Sequence, residues 1–274
     1  MTLVAPDITY LRDAIAQRSG NVISESQSYL LEARLAPVAK TAGLKDVHAL
    51  VAELKKNPRN QLHEQVTEAM TINETSFFRD MQPFDAMKDH VLPDLVEKRK
   101  ATKSLSVWSA ASSSGQETYS IAMLIRTNFP DLAEWKVRIL ATDYSDEMVT
   151  RTHEGTYSQF EANRGLPAVM LVKNFDRQGL NWQAKPELRK MINAKKMNLT
   201  ENWNSIVKHD IVFLRNVLIY FDLTTKEQIL RNVHQSMRPD GYLFLGGGET
   251  MLRMQVPFER ITIGKTVCFR PIAE

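Results

Sequence analysis

The chain has 274 residues, 43% of them apolar, a formal net charge of +3 and one cysteine, Cys268. That length and apolar content suit one large domain, or a small one beside a medium one, and exclude wholesale disorder. A single thiol cannot close an internal disulfide, and a weak, scattered positive charge is no nucleic-acid footprint. The amino-terminal stretch lacks the charged and apolar regions of a signal peptide, and no apolar run reaches the roughly 18 residues of a membrane span. The six histidines show no zinc spacing with one another or with Cys268, so no metal site is expected.

The first 70 residues read as four short helices. Ile8, Leu11 and Ile15 recur at helical period, with Gly20 as a stop. Tyr29, Leu30, Ala33, Leu35 and Val38 form a second stripe ending near Gly43. Val47, Leu50, Val51 and Leu54 form a third, closed by Asn57-Pro58, and Leu62, Val66, Ala69 and Met70 a fourth. Short helices on short loops suggest a small all-α bundle. Residues 71–104 read as a linker and junction helix, opened by Pro83, carrying Phe84, Met87, Val91 and Leu95, and kinked or restarted at Pro93.

From residue 105 strands alternate with helices. Strands are expected at Leu105–Ala111, Trp135–Ala141, Asp210–Leu214 and Tyr242–Leu245. Helices are expected at Gly115–Phe129, Ser145–His153 and Thr224–Met237, the last closed by Arg238-Pro239-Asp240-Gly241. Arg260–Ile263 and Thr266–Phe269 flank Gly264-Lys265 as a hairpin. The alternation predicts an α/β fold, a parallel sheet wrapped by helices, with antiparallel strands at one edge. Residues 155–200 break the alternation, and Phe175–Leu188, with its Gly179 turn, reads as a small antiparallel insertion.

Ligands of an open α/β sheet lie at the carboxyl ends of its strands. Past the first strand come Ala110-Ala111-Ser112-Ser113-Ser114-Gly115-Gln116-Glu117, small residues that let backbone approach a ligand, with Gly115 permitting a tight turn. Past the second is Asp143, whose carboxylate can accept both hydroxyls of a ribose. Arg215-Asn216 and Gly246–Gly248 follow later strands. A dinucleotide would need a glycine-rich turn and a free helix N-terminus for its pyrophosphate. This loop has one glycine, and Glu117 beside the helix start repels phosphate but suits the amino group or hydroxyls of S-adenosylmethionine. The loop therefore ranks a methyltransferase above a dehydrogenase. The plain alternatives are small residues that only let strand and helix pack, and an N-cap or turn role for Asp143.

Longer motifs sharpen this. Asn73-Glu74-Thr75-Ser76-Phe77-Phe78-Arg79 resembles the N-x-T-x-F-F-R signature of the chemotaxis receptor glutamate O-methyltransferases (the CheR type). Val107-Trp108-Ser109-Ala110 through Tyr119-Ser120-Ile121-Ala122 resembles that family's V-W-S-A-x-x-S-T-G-E-E-P-Y-S-I-A. Ile139-Leu140-Ala141-Thr142-Asp143 is similar to its I-x-A-T-D, Asn198-Leu199 to its N-L, and Phe213–Phe221 to its F-C-R-N-V-x-I-Y-F. Order and spacing agree from about residue 8 to the end. Ser114, Gln116 and Thr118 depart from the usual Thr, Glu and Pro, whereas Glu117 is kept.

The resemblance implies a class I Rossmann-like methyltransferase sheet with a terminal antiparallel hairpin, spanning 105–274 with a β insertion near 170–195, preceded by an all-α domain over 1–70. It implies S-adenosylmethionine as cofactor and S-adenosylhomocysteine as product. Asn73, Thr75 and Arg79 would form part of the pocket. Glu117 and Asp143 would hold the cofactor's polar groups, and Asn198, Leu199, Arg215 and Asn216 would line the adenosyl site. Arg79 and Tyr220 would serve catalysis, Tyr220 near the transferred methyl or the incoming glutamate, with a core role as its alternative. Phe77 and Phe78 read equally as core. The implied substrate is a glutamate on the cytoplasmic helical domain of a transmembrane chemoreceptor, giving a methyl ester in chemotaxis adaptation. The implied location is cytoplasmic, with no nucleic acid and no direct membrane insertion. Arg34, Lys40 and Lys45 would help dock the acidic receptor, and in some members the insertion grips a receptor-tail peptide. Competing readings are a methyltransferase of another acceptor, such as RNA or a small molecule, and a non-catalytic cofactor-binding signalling protein. Against amine methylation, Arg215-Asn216-Val217-Leu218 has no proline of the N-P-P-Y kind.

Overall fold

Contacts divide the chain into two units, Met1–Ile72 with Ile219–Lys226, and Asn73–Leu218 with Glu227–Glu274. The computed structural model describes residues 3–58, 60–203 and 207–273. Met1 and Thr2, at the head of the stretch read above for a leader, lie outside the described residues.

In the helical unit the apolar stripes become helices Ala5–Ser19, Tyr29–Thr41, Val47–Lys56 and Leu62–Ala69. Gly20 closes the first at φ 73°, donating its N–H to the Ala16 carbonyl at 2.8 Å. Asp46 caps the third by accepting the Ala49 N–H at 2.9 Å. Leu11, Ile15, Leu31, Leu35, Leu50, Leu54 and Val66 make the core. The second helix buries Leu31, Leu35 and Ala39, whereas Tyr29 is 72% exposed. Two faces of that helix carry apolar residues at helical spacing, and the neighbouring helices decide which one is buried. Lys40 and Lys45 are exposed, while Arg34 is half-buried and donates to the Thr71 carbonyl at 2.8 Å.

In the sheet unit the strands are β1 (Ser104–Ala110), β2 (Lys136–Asp143), β3 (Thr156–Ser158), β4 (Phe175–Gln178), β5 (Asn181–Ala184), β6 (Ile192–Lys196), β7 (His209–Leu214), β8 (Met237–Leu245), β9 (Phe258–Ile263) and β10 (Thr266–Pro271). Among the described residues seven of them form one sheet in the order β6-β2-β1-β7-β8-β10-β9. Strands β6, β2, β1, β7 and β8 run parallel, and β10 and β9 are antiparallel at the edge. This is the expected α/β sheet with its terminal hairpin. Central β7 is buried at every position, as a parallel strand covered on both faces must be.

The insertion is a separate antiparallel sheet in the order β3-β5-β4, and it differs in extent from the span expected near 170–195. It begins at Thr156, and Ile192–Lys196 pairs with β2 in the main sheet instead. A three-residue strand has no periodicity to read, and β6 is an edge strand whose lysines face solvent, so it lacks an apolar run. Residues 71–104 are also less of a linker than expected. From Asn73 the chain packs as sheet unit, with Phe84, Met87, Val91 and Leu95 in its core. Helix Met81–Ala86 passes through a π-helical turn, Met87–Val91, into Leu92–Arg99. Pro93 follows that π-helical turn, an irregularity by which a continuous helix accommodates a residue without an N–H.

Strand β8 starts earlier than expected, taking Arg238-Pro239-Asp240-Gly241 into a bulged pairing with β7. That irregularity sits at the amino ends of the strands, beside a buried polar group. His209 Nδ1 pairs with Ser106 Oγ at 2.8 Å, and its Nε2 has no partner among the described residues. Burial, aided by the Arg238 charge, pulls the His209 pKa down to about 4. The folded chain therefore refuses a proton that the unfolded chain takes up near 6.5. Stability is intact above about 6.5, and falls as pH drops toward about 4, by roughly 3 kcal/mol for this group. Thermal melts between pH 7 and 4.5 should show His209→Asn losing less stability on acidification than the native chain. Parallel pH profiles would refute this.

Candidate cofactor site

The chain leaves β1 through a loop with three left-handed residues in five, Ala111 (φ 53°), Ser113 (φ 51°) and Gly115 (φ 92°). Such non-glycine conformations persist only where surroundings over-determine them. Here the Ser112 N–H donates to the Thr142 carbonyl at 2.8 Å, Thr152 Oγ1 donates to the Ser113 carbonyl at 3.0 Å, and Tyr157 Oη donates to the Ser114 carbonyl at 2.8 Å. A Cβ on Gly115 would stand 2.8 Å from Thr152 Oγ1 and 3.0 Å from Tyr157 Oη, so space as well as φ requires glycine. Helix Gln116–Asn128 follows. Gln116, one of the departures, turns inward and accepts from Ser114 Oγ at 2.9 Å.

Asp143 ends β2 beside this loop. Its Oδ2 accepts the Ser113 N–H at 2.7 Å and its Oδ1 the Ser145 N–H at 3.0 Å. The helix after β2 is instead capped by Ser145, whose Oγ accepts the Met148 N–H at 3.2 Å. The Met197 N–H donates to the Asp143 carbonyl at 2.8 Å, which sets Asn198 and buried Leu199 next to Asp143. Asn198 Oδ1 is itself braced by the Thr200 N–H at 3.1 Å.

Arg215, past β7, gathers the other side. Its side chain is 1% exposed; Nη1 donates to Glu117 Oε2 at 2.9 Å, and Nη2 to Asp80 Oδ2 and to the Arg79 carbonyl, both at 2.9 Å. Arg215 Nε has no partner among the described residues. Glu117 Oε1 accepts from Ser109 Oγ at 2.9 Å. Asn73 enters through its carbonyl, which accepts from Ser113 Oγ at 2.7 Å. Arg79 Nη1 reaches the Glu74 carbonyl at 3.2 Å, and Thr75 is half-buried. Phe77 and Phe78 are core, edge-on to Tyr157 and Phe84.

Asp80 and Glu249 were not among the sequence candidates. Asp80 directly follows the Asn73–Arg79 motif and sits at φ 55°, but an exposed aspartate carries no pattern of its own. Tyr220 falls in the helical unit, where its carbonyl accepts the Val22 N–H at 2.9 Å and it lines a cavity of about 230 Å³ with Asn21, Arg34 and Ile219.

Residues 6–71 match the all-alpha domain of CheR methyltransferase, and residues 73–267 match the CheR methyltransferase SAM binding domain. The chain belongs to the CheR methyltransferase family. It is 39% identical over 250 residues to chemotaxis protein methyltransferase Cher2 of Pseudomonas putida, covering 89% of this chain and 90% of that one. Chemotaxis protein methyltransferase 1 of Pseudomonas aeruginosa is 36% identical over 275 residues, covering 98% and 99%. Chemotaxis protein methyltransferase 1 of Vibrio cholerae is 33% identical over 260 residues, covering 93% of each. The chain is thus an S-adenosylmethionine-dependent methyltransferase.

These side chains suit that cofactor chemically. Asp80 and Glu117 pair with Arg215, and the Asp143 carboxylate stands at the end of β2, the strand next to β1. S-adenosylmethionine carries a sulfonium, an ammonium and a carboxylate, a surplus of one positive charge. A phosphate-bearing cofactor would meet repulsion instead. The buried, unpartnered Arg215 Nε is a donor awaiting an acceptor. Asp143→Ala removes an acceptor and strands the Ser113 and Ser145 N–H groups. Calorimetry with S-adenosylhomocysteine should show affinity reduced by about tenfold or more, corresponding to the loss of one charge-assisted hydrogen bond. Unchanged affinity would remove Asp143 from the site.

Proposed function

We infer that this methyltransferase esterifies glutamate side chains on the cytoplasmic helical domain of chemoreceptors, working in the cytoplasm. The observation that carries the reading is the full-length kinship with chemotaxis protein methyltransferases, and the site's chemistry supports it. A glutamate has an ordinary pKa near 4.3 and is already ionised at neutral pH, so no general base is required. S-adenosylmethionine supplies an activated methyl group on sulfur. The protein's task is alignment, worth roughly 7–11 kcal/mol when complete, and removal of water from the carboxylate.

The residues divide that task. Asp143, Asn198, Leu199, Arg215 and Asn216 hold the adenosyl end, and Asn73, Thr75 and Glu117 hold the remainder of the cofactor. Arg79 grips the cofactor's carboxylate, since a tight grip on the substrate carboxylate would blunt the nucleophile. A cleft of about 770 Å³, lined by Asp80, Pro83, Glu249, Met251, Phe258 and Phe269, offers the acceptor room beside Asp80, the partner of Arg215. Tyr220 is assigned to the methyl or glutamate by family resemblance. Lys40 and Lys45 offer exposed positive charge to an acidic receptor. The insertion's sheet has outer strands at β3 and β4, and a receptor-tail peptide can add to such an edge. Among the described residues no helix is long and apolar enough to cross a membrane.

The test uses methyl-labelled S-adenosylmethionine and receptor cytoplasmic fragments. Base-labile label on glutamate is the expected result. Base-stable label, or label on RNA, would replace this reading with another acceptor.

A further inference from the structure

Glu249 lies after β8 and reaches across to the loop that leaves β7. Its Oε2 accepts the N–H groups of Asn216 at 2.8 Å and Gly246 at 2.7 Å. Its Oε1 accepts those of Val217 at 2.9 Å and Leu218 at 2.7 Å. One half-buried carboxylate therefore satisfies four main-chain donors from two strand ends. The Glu249 N–H closes its own turn on the Gly246 carbonyl at 2.9 Å. The fit is close: a Cβ on Gly246 would stand 2.7 Å from Asn216 Nδ2 and 2.8 Å from Glu249 Oε2. Asn216 meanwhile occupies the left-handed region at φ 58°, a conformation that needs support from outside.

We propose that Glu249 is a positioning residue for methyl transfer: by holding the amides of 216–218 it sets Arg215 and Asn216 against the cofactor. The inference rests on the reading that Arg215 and Asn216 hold S-adenosylmethionine. The chemistry requires a carboxylate. Its two oxygens each take two N–H groups, whereas glutamine offers one acceptor oxygen and turns an NH₂ toward two facing donors. Glutamine is therefore no conservative replacement here, and aspartate is one methylene too short to span the gap.

The test compares Glu249→Gln, Glu249→Asp and Gly246→Ala with the full native chain. Gly246→Ala disturbs the same contact while keeping the carboxylate, and covers the case in which a Glu249 variant fails to fold. Hydrogen exchange should show faster exchange confined to the amides of 216–218 and 246. Titration with S-adenosylhomocysteine should show at least a tenfold higher Kd, with kcat for methyl transfer reduced at saturating cofactor. Protection retained at those amides overturns the proposal whatever the affinity, as does a general loss of protection that a purely structural residue would cause. Arg215→Ala in the same titration separates the two ideas. If it weakens binding while the Glu249 and Gly246 variants stay within twofold of native, the positioning role falls and the cofactor reading stands. If Arg215→Ala also stays within twofold, the cofactor reading falls and takes the positioning role with it.

Discussion

Arg215→Ala should lower kcat/KM for methyl transfer by at least about a hundredfold and destabilise the sheet unit by about 3–5 kcal/mol. The two effects share a cause. Arg215 is the cation between Glu117 and Asp80, and it also ties the Arg79 carbonyl, so one guanidinium joins the Asn73–Asp80 segment to the helix after β1. Without it Glu117, with a side chain only 12% exposed, keeps Ser109 as a partner but faces no counter-charge. The remaining carboxylates would repel one another, and the segment bearing Arg79 would lose an anchor. Arg215→Lys should restore little, because a point ammonium cannot reproduce a planar fork that serves three acceptors in different directions. Steady-state kinetics with labelled cofactor, alongside thermal melts, reads both quantities. A lysine variant with near-native kcat/KM would show that charge alone suffices.

The second large effect is expected at the opposite end of the strands. Asp210 is 1% exposed on its side chain and lies at the amino end of β7. Its Oδ1 receives Arg99 Nε at 2.7 Å and Arg238 Nε at 3.2 Å, and its Oδ2 accepts the Ser106 N–H at 2.8 Å. Arg99 continues the network, donating through Nη1 and Nη2 to Asp240 at 3.0 and 2.6 Å. The Asp240 carboxylate holds the Arg99 pKa above its usual range, and Arg99 in turn lowers that of Asp240. Asp210→Ala strips counter-charge from a mostly buried guanidinium and leaves a strand N–H unpaired. A loss of about 3–5 kcal/mol follows, or roughly 10 °C in the melting temperature of a unit this size. Cofactor affinity at a temperature where the variant is folded should stay native, because every cofactor candidate of the sheet unit lies at the other end of the parallel strands or in the segment 73–79. A melting temperature within about 2 °C of native would show that the network is dispensable.

These two sites differ in how far they could be read from the sequence. Arg215 follows a wholly apolar strand, and the rule that ligands collect at carboxyl ends points to it, as it does to Glu117 and Asp143. The Asp210 network carries no such signature. Arg99, Asp210, Arg238 and Asp240 come from a helix end, one strand start and a stretch that reads as a turn. Only the bulged pairing of β7 with β8 brings them together. Glu249 was hidden for the same reason. A glutamate after three glycines reads as loop, and three of the four amides it accepts, those of 216–218, lie far from it in sequence. Strand β6 was missed because an edge strand with exposed lysines lacks the apolar run by which buried strands are recognised.

The sequence by itself determined the alternation of strands and helices, the terminal hairpin, the amino-terminal helices and the motifs that mark a CheR methyltransferase. Those are local properties, since period, capping and motif spacing are written along the chain. Tertiary structure alone decided which face of Tyr29–Thr41 is buried, where the insertion begins, and which groups partner Arg215, Asp210 and Glu249. Those depend on pairings between residues distant in sequence, where burial strengthens each charge interaction and makes each unmet hydrogen bond costly.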